Sequence, residues 1–264
     1  MSKPIGVFDS GVGGLTVVRE LVRQLPYEDI IYFGDTARVP YGIKSKETVI
    51  RFSIDDALFL LNQGVKLICV ACNTVSSVAL PIIKSHFKIP IIGVIVPGAR
   101  EAVYATRNKR VGVIGTRGTI KSHAYENEIR KLSPRIKVTA AACPLFVPFV
   151  EEGWLNGKVV LDVAKTYLKP MKDARIDTLI LGCTHYPLLK DIIRKVLGNK
   201  VTLIDSARQV AMEVKKTLDA EGMLNKSHRA KYRFYVSDNP EWFNSIADRF
   251  LGRSPRTVKK INHV

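Results

Sequence analysis

Two cysteines stand where chemistry is easiest to place. Cys72 closes the apolar run 65–71 and is followed by Asn73 and Thr74; Cys183 follows the apolar run 178–181 and precedes Thr184 and His185. A thiolate can act as nucleophile, metal ligand or base, and neighbouring hydroxyl and amide groups can steady it or grip a carboxylate. A lone cysteine at a strand end is ordinarily a small buried hydrophobe. Two in matching settings suggest a pair. His185, two residues beyond Cys183, is a candidate acid, base or thiolate partner. Two other readings stay open. Cys69 and Cys72 match C-x-x-C, a redox or zinc spacing, although residues three apart on a strand point to opposite faces. Cys72, Cys183 and His185 with one further group could ligate zinc. Cys143, beside a proline, reads as core.

A second constellation precedes these. Asp9-Ser10-Gly11-Val12-Gly13-Gly14 follows an apolar run and opens an amphipathic stretch near Leu15. Glycines there allow a tight turn and bring backbone N–H groups against an anion. The spacing is neither the dinucleotide G-x-G-x-x-G nor the phosphate-loop pattern. With a carboxylate and a hydroxyl at its mouth, it suits an anion or an ammonium group. Pro40-Tyr41-Gly42, after Gly34-Asp35, reads as a loop able to line a site. Glu151-Glu152 is either a solvated pair or part of the site.

The elements that must position these residues alternate. Short apolar runs at 5–8, 30–33, 65–71, 90–96, 111–114, 138–142, 178–181 and 201–204 predict buried strands. Between them lie helical periods, such as Ile50, Ile54, Ala57, Leu58 and Leu61, or Val160, Val163, Ala164 and Tyr167. Alternation of this kind predicts an α/β fold of doubly wound parallel sheets, with ligands beyond the carboxyl ends of the strands. The chain also repeats weakly. Residues 5–8 resemble 111–114, 39–41 resemble 147–149, and 70–74 resemble 181–185, at offsets of 106, 108 and 111. The repeat predicts two similar lobes by internal duplication, each presenting one cysteine at the end of an equivalent strand. The lobes are expected at 1–95 plus 208–264, carrying Asp9, Ser10 and Cys72, and at 96–207, carrying Cys183 and His185.

Composition bounds the alternatives. The 264 residues are 46% hydrophobic, enough for a sizeable core. No apolar run approaches the roughly 20 residues of a membrane span, and no secretory leader is evident. Four cysteines do not make a disulfide scaffold, so reduced thiols and a cytoplasmic location are expected. The net charge of +17 raises nucleic acid as a partner. Its basic stretches, 107–137 and 225–264, are interleaved with apolar residues, so solvated faces of folded elements account for them better.

Taken together, Asp9-Ser10-Gly11-Val12-Gly13-Gly14-Leu15-Thr16-Val17, Gly34-Asp35 with Pro40-Tyr41-Gly42, Ala71-Cys72-Asn73-Thr74 and Gly182-Cys183-Thr184-His185-Tyr186-Pro187 resemble the glutamate racemases of the aspartate/glutamate racemase family. The motifs come in the family's order over most of the chain, and the last forty residues carry none. The resemblance implies two facing α/β lobes, no cofactor or metal, and interconversion of L- and D-glutamate for peptidoglycan synthesis. It implies that Cys72 takes the proton from D-glutamate and Cys183 from L-glutamate. Asp9 would assist Cys72 and His185 would assist Cys183, with Glu151 as possible support for His185. The implied substrate contacts are Asp9, Ser10, Tyr41, Gly42, Asn73, Thr74, Thr184 and His185, with Thr116 and Thr119 as further ones. A homodimer is also implied. The alternatives are a racemase of aspartate or another small acid, and, in a different class, a basic nucleic-acid-binding α/β protein with structural cysteines.

Overall fold

The computed structural model describes residues 3–226, 229–255 and 257–261. Two all-parallel sheets organise the chain. The first contains β1 (Ile5–Asp9), β2 (Ile30–Gly34), β3 (Leu67–Val70), β4 (Ile91–Gly93), β9 (Tyr232–Val236) and β10 (Val258–Lys260), in the order β10-β9-β2-β1-β3-β4. The second contains β5 (Arg110–Gly115), β6 (Lys137–Ala142), β7 (Thr178–Gly182) and β8 (Thr202–Asp205), in the order β6-β5-β7-β8. The order 2-1-3-4 therefore recurs as 6-5-7-8, the topological form of the sequence repeat. The central strands β1, β3 and β7 are buried throughout, which is why they read as continuous apolar runs rather than alternating ones.

Helices cover the sheets. They are α1 (Leu15–Gln24), α2 (Lys46–Asn62), α3 (Asn73–Val78), α4 (Leu80–His86), α5 (Ile95–Ala105), α6 (Arg117–Lys121), α7 (Ala124–Leu132), α8 (Phe146–Glu151), α9 (Lys158–Asp173), α10 (Lys190–Leu197), α11 (Ser206–Ala220) and α12 (Pro240–Leu251). Side-chain caps start several of them. Ser45 accepts from the Thr48 N–H, Thr116 from Thr119, Asp205 from Ala207 and Asn239 from Trp242. The chain crosses between sheets twice, through α5 and through α11, and these two helices pack against each other. Among the described residues no helix is long and apolar enough to cross a membrane.

Three local expectations are corrected. The apolar run 90–96 is a strand only over Ile91–Gly93, and its remainder starts α5; periodicity cannot divide one apolar run between a buried strand and a buried helix. The strand within 65–71 is confined to Leu67–Val70, where parallel partners exist on both sides. The inward face of α2 is Val49, Ser53, Asp56, Ala57 and Leu60, while Leu58 is exposed. The buried stripe is thus rotated from the apolar one, because Ser53 and Asp56 find hydrogen-bond partners inside.

Candidate active site

The site gathers at the carboxyl ends of β1, β3, β5 and β7, between the two sheets. Cys72 caps the start of α3, directly after β3; Cys183 follows β7 and leads into a short 3-10 turn, Tyr186–Leu189. Both thiols are free and buried. A small cavity of about 40 Å³ is walled by both of them, with Ser10, Val39, Pro40, Tyr41, Gly42, Asn73, Thr74, Thr116, Val147, Thr184 and His185. Of the residues singled out in the sequence, Asp9, Thr119 and Glu151 stand behind this wall rather than in it. A far roomier cleft of about 750 Å³ opens among Arg229, Lys231, Tyr232 and Arg253, at the amino end of β9. That is the opposite edge of the sheet from the cysteines, so size alone does not locate the chemistry.

Close approach of the two lobes depends on glycine. A Cβ on Gly13 would strike Thr184 and the His185 ring, and one on Gly42 would lie 2.7 Å from the Thr116 Cβ. Around these contacts the lobes are tied by hydroxyls. Thr74 Oγ1 bonds Thr116 Oγ1 at 2.9 Å and Thr119 Oγ1 at 3.4 Å, and the Thr16 hydroxyl lies 3.2 Å from the Thr184 carbonyl.

The two sulfurs sit in different surroundings. The Cys72 thiol points to Ser10 Oγ at 3.7 Å. Burial, then the nearby Asp9 charge, push it up to about 12. Cys183 Sγ lies 3.8 Å from His185 Nδ1, and His185 Nε2 lies 2.9 Å from Glu151 Oε1. Burial works against charge on that imidazole, but its bonds to Cys183 and Glu151 outweigh burial and raise it to about 10. At neutral pH His185 is therefore an imidazolium, donating from both nitrogens to a sulfur and a carboxylate. Asp9 is raised by burial and held down in part by the His185 charge.

Two buried side-chain polar atoms lack partners among the described residues: Asp9 Oδ1 and Asn73 Nδ2. Asp9 Oδ2 accepts from the Gly11 N–H at 3.2 Å. The Tyr125 hydroxyl donates to Asn73 Oδ1 at 2.7 Å, which fixes which end of the amide is the oxygen and leaves Nδ2 as the unpartnered donor. An orphaned buried donor costs about 1–3 kcal/mol unless something accepts from it. Here it belongs to a residue lining the cavity, where a carboxylate would satisfy it. Among the described residues no group of three or more His, Cys, Asp or Glu is placed to hold a metal.

Sequence reasoning missed several supports. Tyr125 orients Asn73 from α7. Phe250 of α12 meets the His185 ring edge-on at 5.2 Å, and Arg249 Nη1 donates to the Glu151 carbonyl at 2.7 Å. No signal marks these residues, since each is defined only by a contact across the fold. Val147 lines the cavity from α8, at the place its repeat partner Val39 occupies in the other lobe.

Residues 5–214 match the Asp/Glu/Hydantoin racemase family. The chain belongs to that family. A racemase of Geobacter metallireducens, named glutamate racemase, is 51% identical over 251 residues, 95% of this chain and 93% of the relative. The crystal structure of glutamate racemase from Francisella tularensis in complex with D-glutamate superposes with a TM-score of 0.94 at 44% identity, covering 99% of this chain and 98% of that one. Glutamate racemase from Bacillus anthracis gives a TM-score of 0.95 at 43% identity, covering 98% and 97%. The two-lobed α/β architecture is that of these racemases, and membership makes the chain an amino-acid racemase, an isomerase.

Proposed function

We propose that the chain interconverts L- and D-glutamate by a two-thiol mechanism. The observation that carries it is one small cavity walled by Cys72 from one lobe and Cys183 from the other. Inversion at Cα requires a proton to leave one face and another to arrive at the opposite face, so a base and an acid must flank the carbon. The surroundings of the two thiols are unequal. Cys72 is held as a thiol, the acid for the L-enantiomer. Cys183, beside His185, takes the proton from the L-enantiomer; the roles exchange for the D-enantiomer, with Asp9 assisting at Cys72. Two groups that exchange one proton each complete the inversion, so the reaction as proposed calls on no cofactor.

Ser10, Asn73, Thr74, Thr116, Thr184 and the backbone at Tyr41 and Gly42 provide donors for two carboxylates. Asp9, behind the wall, is assigned to the ammonium once substrate has entered, with Thr119 and Glu151 acting through Thr116 and His185. A cavity of about 40 Å³ holds space for about three waters. A dicarboxylic amino acid is larger, so the lobes must part to admit it; the units proposed to move are 1–95 with 208–264, and 96–207. The reading extends to a supply of D-glutamate for peptidoglycan, in the cytoplasm, by a homodimer.

Chiral assay of L-glutamate against L-aspartate, without added cofactor, tests the substrate. In deuterated water, deuterium is expected at Cα of the product from either enantiomer. Cys72→Ser and Cys183→Ser are each expected to lower kcat by at least about 10²–10⁴, the usual worth of a positioned acid or base. Wild-type rates in both variants would rule the mechanism out.

A further inference from the structure

Tyr125, on α7, is buried where the two sheets meet. Its ring is packed between Gly98 of α5 and Gly182 at the end of β7. A Cβ on Gly98 would come within 3.3 Å of ring carbon Cε1, and one on Gly182 within 3.2 Å of Cε2. Such close approach on both edges leaves the ring little room to turn. Its hydroxyl lies 2.7 Å from Asn73 Oδ1 and 3.1 Å from Oγ of Ser206, the first residue of α11. Ser206 Oγ in turn lies 3.3 Å from the Leu181 carbonyl. One line of hydrogen-bonding groups thus runs from Asn73, next to Cys72, to Leu181, two residues before Cys183.

Such a line has two possible directions. In one, Tyr125 donates to Asn73 Oδ1 and the amide N–H₂ stays unpartnered. In the other, the amide is turned over, Nδ2 donates to Tyr125, Tyr125 to Ser206 and Ser206 to the Leu181 carbonyl, and the amide oxygen is left over. The first direction offers a ligand two donors and therefore suits a carboxylate. The second offers an acceptor and suits an ammonium group. The structure takes the first: Asn73 is 2% exposed, and its Nδ2 has no partner among the described residues. Asn73 also lines the cavity between the two thiols.

We propose that Tyr125 is a positioning residue that commits Asn73 to a substrate carboxylate: its hydroxyl holds the amide oxygen, so the amide N–H₂ is left for the ligand and the acceptor end is withheld. Burial raises the Tyr125 phenol further above neutrality, so the hydroxyl keeps the proton it donates. Tyr125 belongs to the half of the chain that carries Cys183, and Asn73 to the half that carries Cys72. The donor for the carboxylate is therefore set from across the junction, by a ring that Gly98 and Gly182 hold in place.

The proposal rests on the cavity of the two thiols being the substrate site, so its test includes one readout that needs no substrate. Tyr125→Phe keeps the ring and removes only the hydroxyl. It is expected to raise KM for both glutamate enantiomers about three- to tenfold, with kcat within about twofold of wild type. In an Asn73→Ala background the same change should add less than about twofold, because the side chain it acts through is gone. Ser206→Ala removes the acceptor that the opposite direction needs and leaves the Tyr125 donation intact, so KM should stay within about twofold. Where turnover is too slow for KM, Kd for glutarate, a dicarboxylate without an ammonium group, takes its place. No rise in Tyr125→Phe, an equal rise in both backgrounds, or equal damage by Ser206→Ala would each overturn the proposal. The ligand-free readout is a neutron crystal structure of the wild type in deuterated water. The Tyr125 deuteron should point at Asn73, with both amide deuterons on the atom that does not face Tyr125. An amide nitrogen facing Tyr125 would overturn the proposal whatever the substrate. If the wild type binds neither glutamate nor glutarate, the substrate reading falls, and the neutron map by itself decides the direction of the amide.

Discussion

At the scale of residues, the two thiols carry different partners, and the difference has kinetic consequences. Enantiomers are equal in free energy in water, so kcat/KM must remain equal in the two directions for every variant. Only kcat and KM taken separately can diverge. Asp9→Asn acts on the Cys72 side and His185→Asn on the Cys183 side, so each should change kcat unequally for L- and D-glutamate; equal changes would undercut the assignment. The Glu151 carboxylate helps to raise His185 to about 10. Glu151→Gln should lower that value, and the alkaline limb of kcat should move to lower pH. The same pair affects stability. A raised histidine stabilises the fold fully below its unfolded value of about 6.5 and loses that contribution as pH rises through about 10. Thermal melts of Glu151→Gln should show a flatter dependence across that window.

At the scale of elements, α12 is the unexpected contributor. It belongs to the stretch without motifs, yet Arg249 and Phe250 brace Glu151 and His185 from the opposite lobe. A hydrogen bond of this exposure is worth about 0.5–1.5 kcal/mol. Arg249→Ala should therefore lower kcat by about two- to tenfold and shift the His185 limb of the pH profile, with Arg249→Lys restoring part of the loss. An unchanged profile would reduce Arg249 to a packing role. Its strands were as hidden as its helix. Tyr232–Val236 alternates exposed and buried positions and Val258–Lys260 is three residues long, so neither carries the long apolar run that marks β1 or β3. Asp56 shows the same limit on α2, where a carboxylate on the inward face contradicts every hydrophobic pattern until its partners are known.

At the scale of the whole molecule, the charge of +17 attends a proposed site whose few local donors suit an anion. A positive field draws an acidic substrate inward, and salt screens it, with a Debye length of about 30 Å at 0.01 M and about 3 Å at 1 M. Raising ionic strength over that range should lower kcat/KM for glutamate and leave kcat nearly constant. A flat kcat/KM would free the surface charge from any part in substrate capture. Closure is the other global property. Tyr41–Gly42 against Thr116, and Gly13 against Thr184 and His185, bring the lobes together where a single added methyl group would hold them apart.

The sequence by itself determined the alternation of strand and helix, the division into two similar halves and the matching settings of Cys72 and Cys183, because buried parallel strands and their terminal turns leave local, repeating signatures. Ser10, Asn73, Thr74, Thr184 and His185, which line the cavity, and Asp9 behind it stood out in motifs for the same reason. Only the tertiary structure decided that Cys72 rests as a thiol while Cys183 faces an imidazolium, that Phe250 and Arg249 brace one side, and that Asp56 meets Tyr41. Burial and charge at a site are set by groups distant in the chain, and a one-dimensional pattern does not record which of them meet.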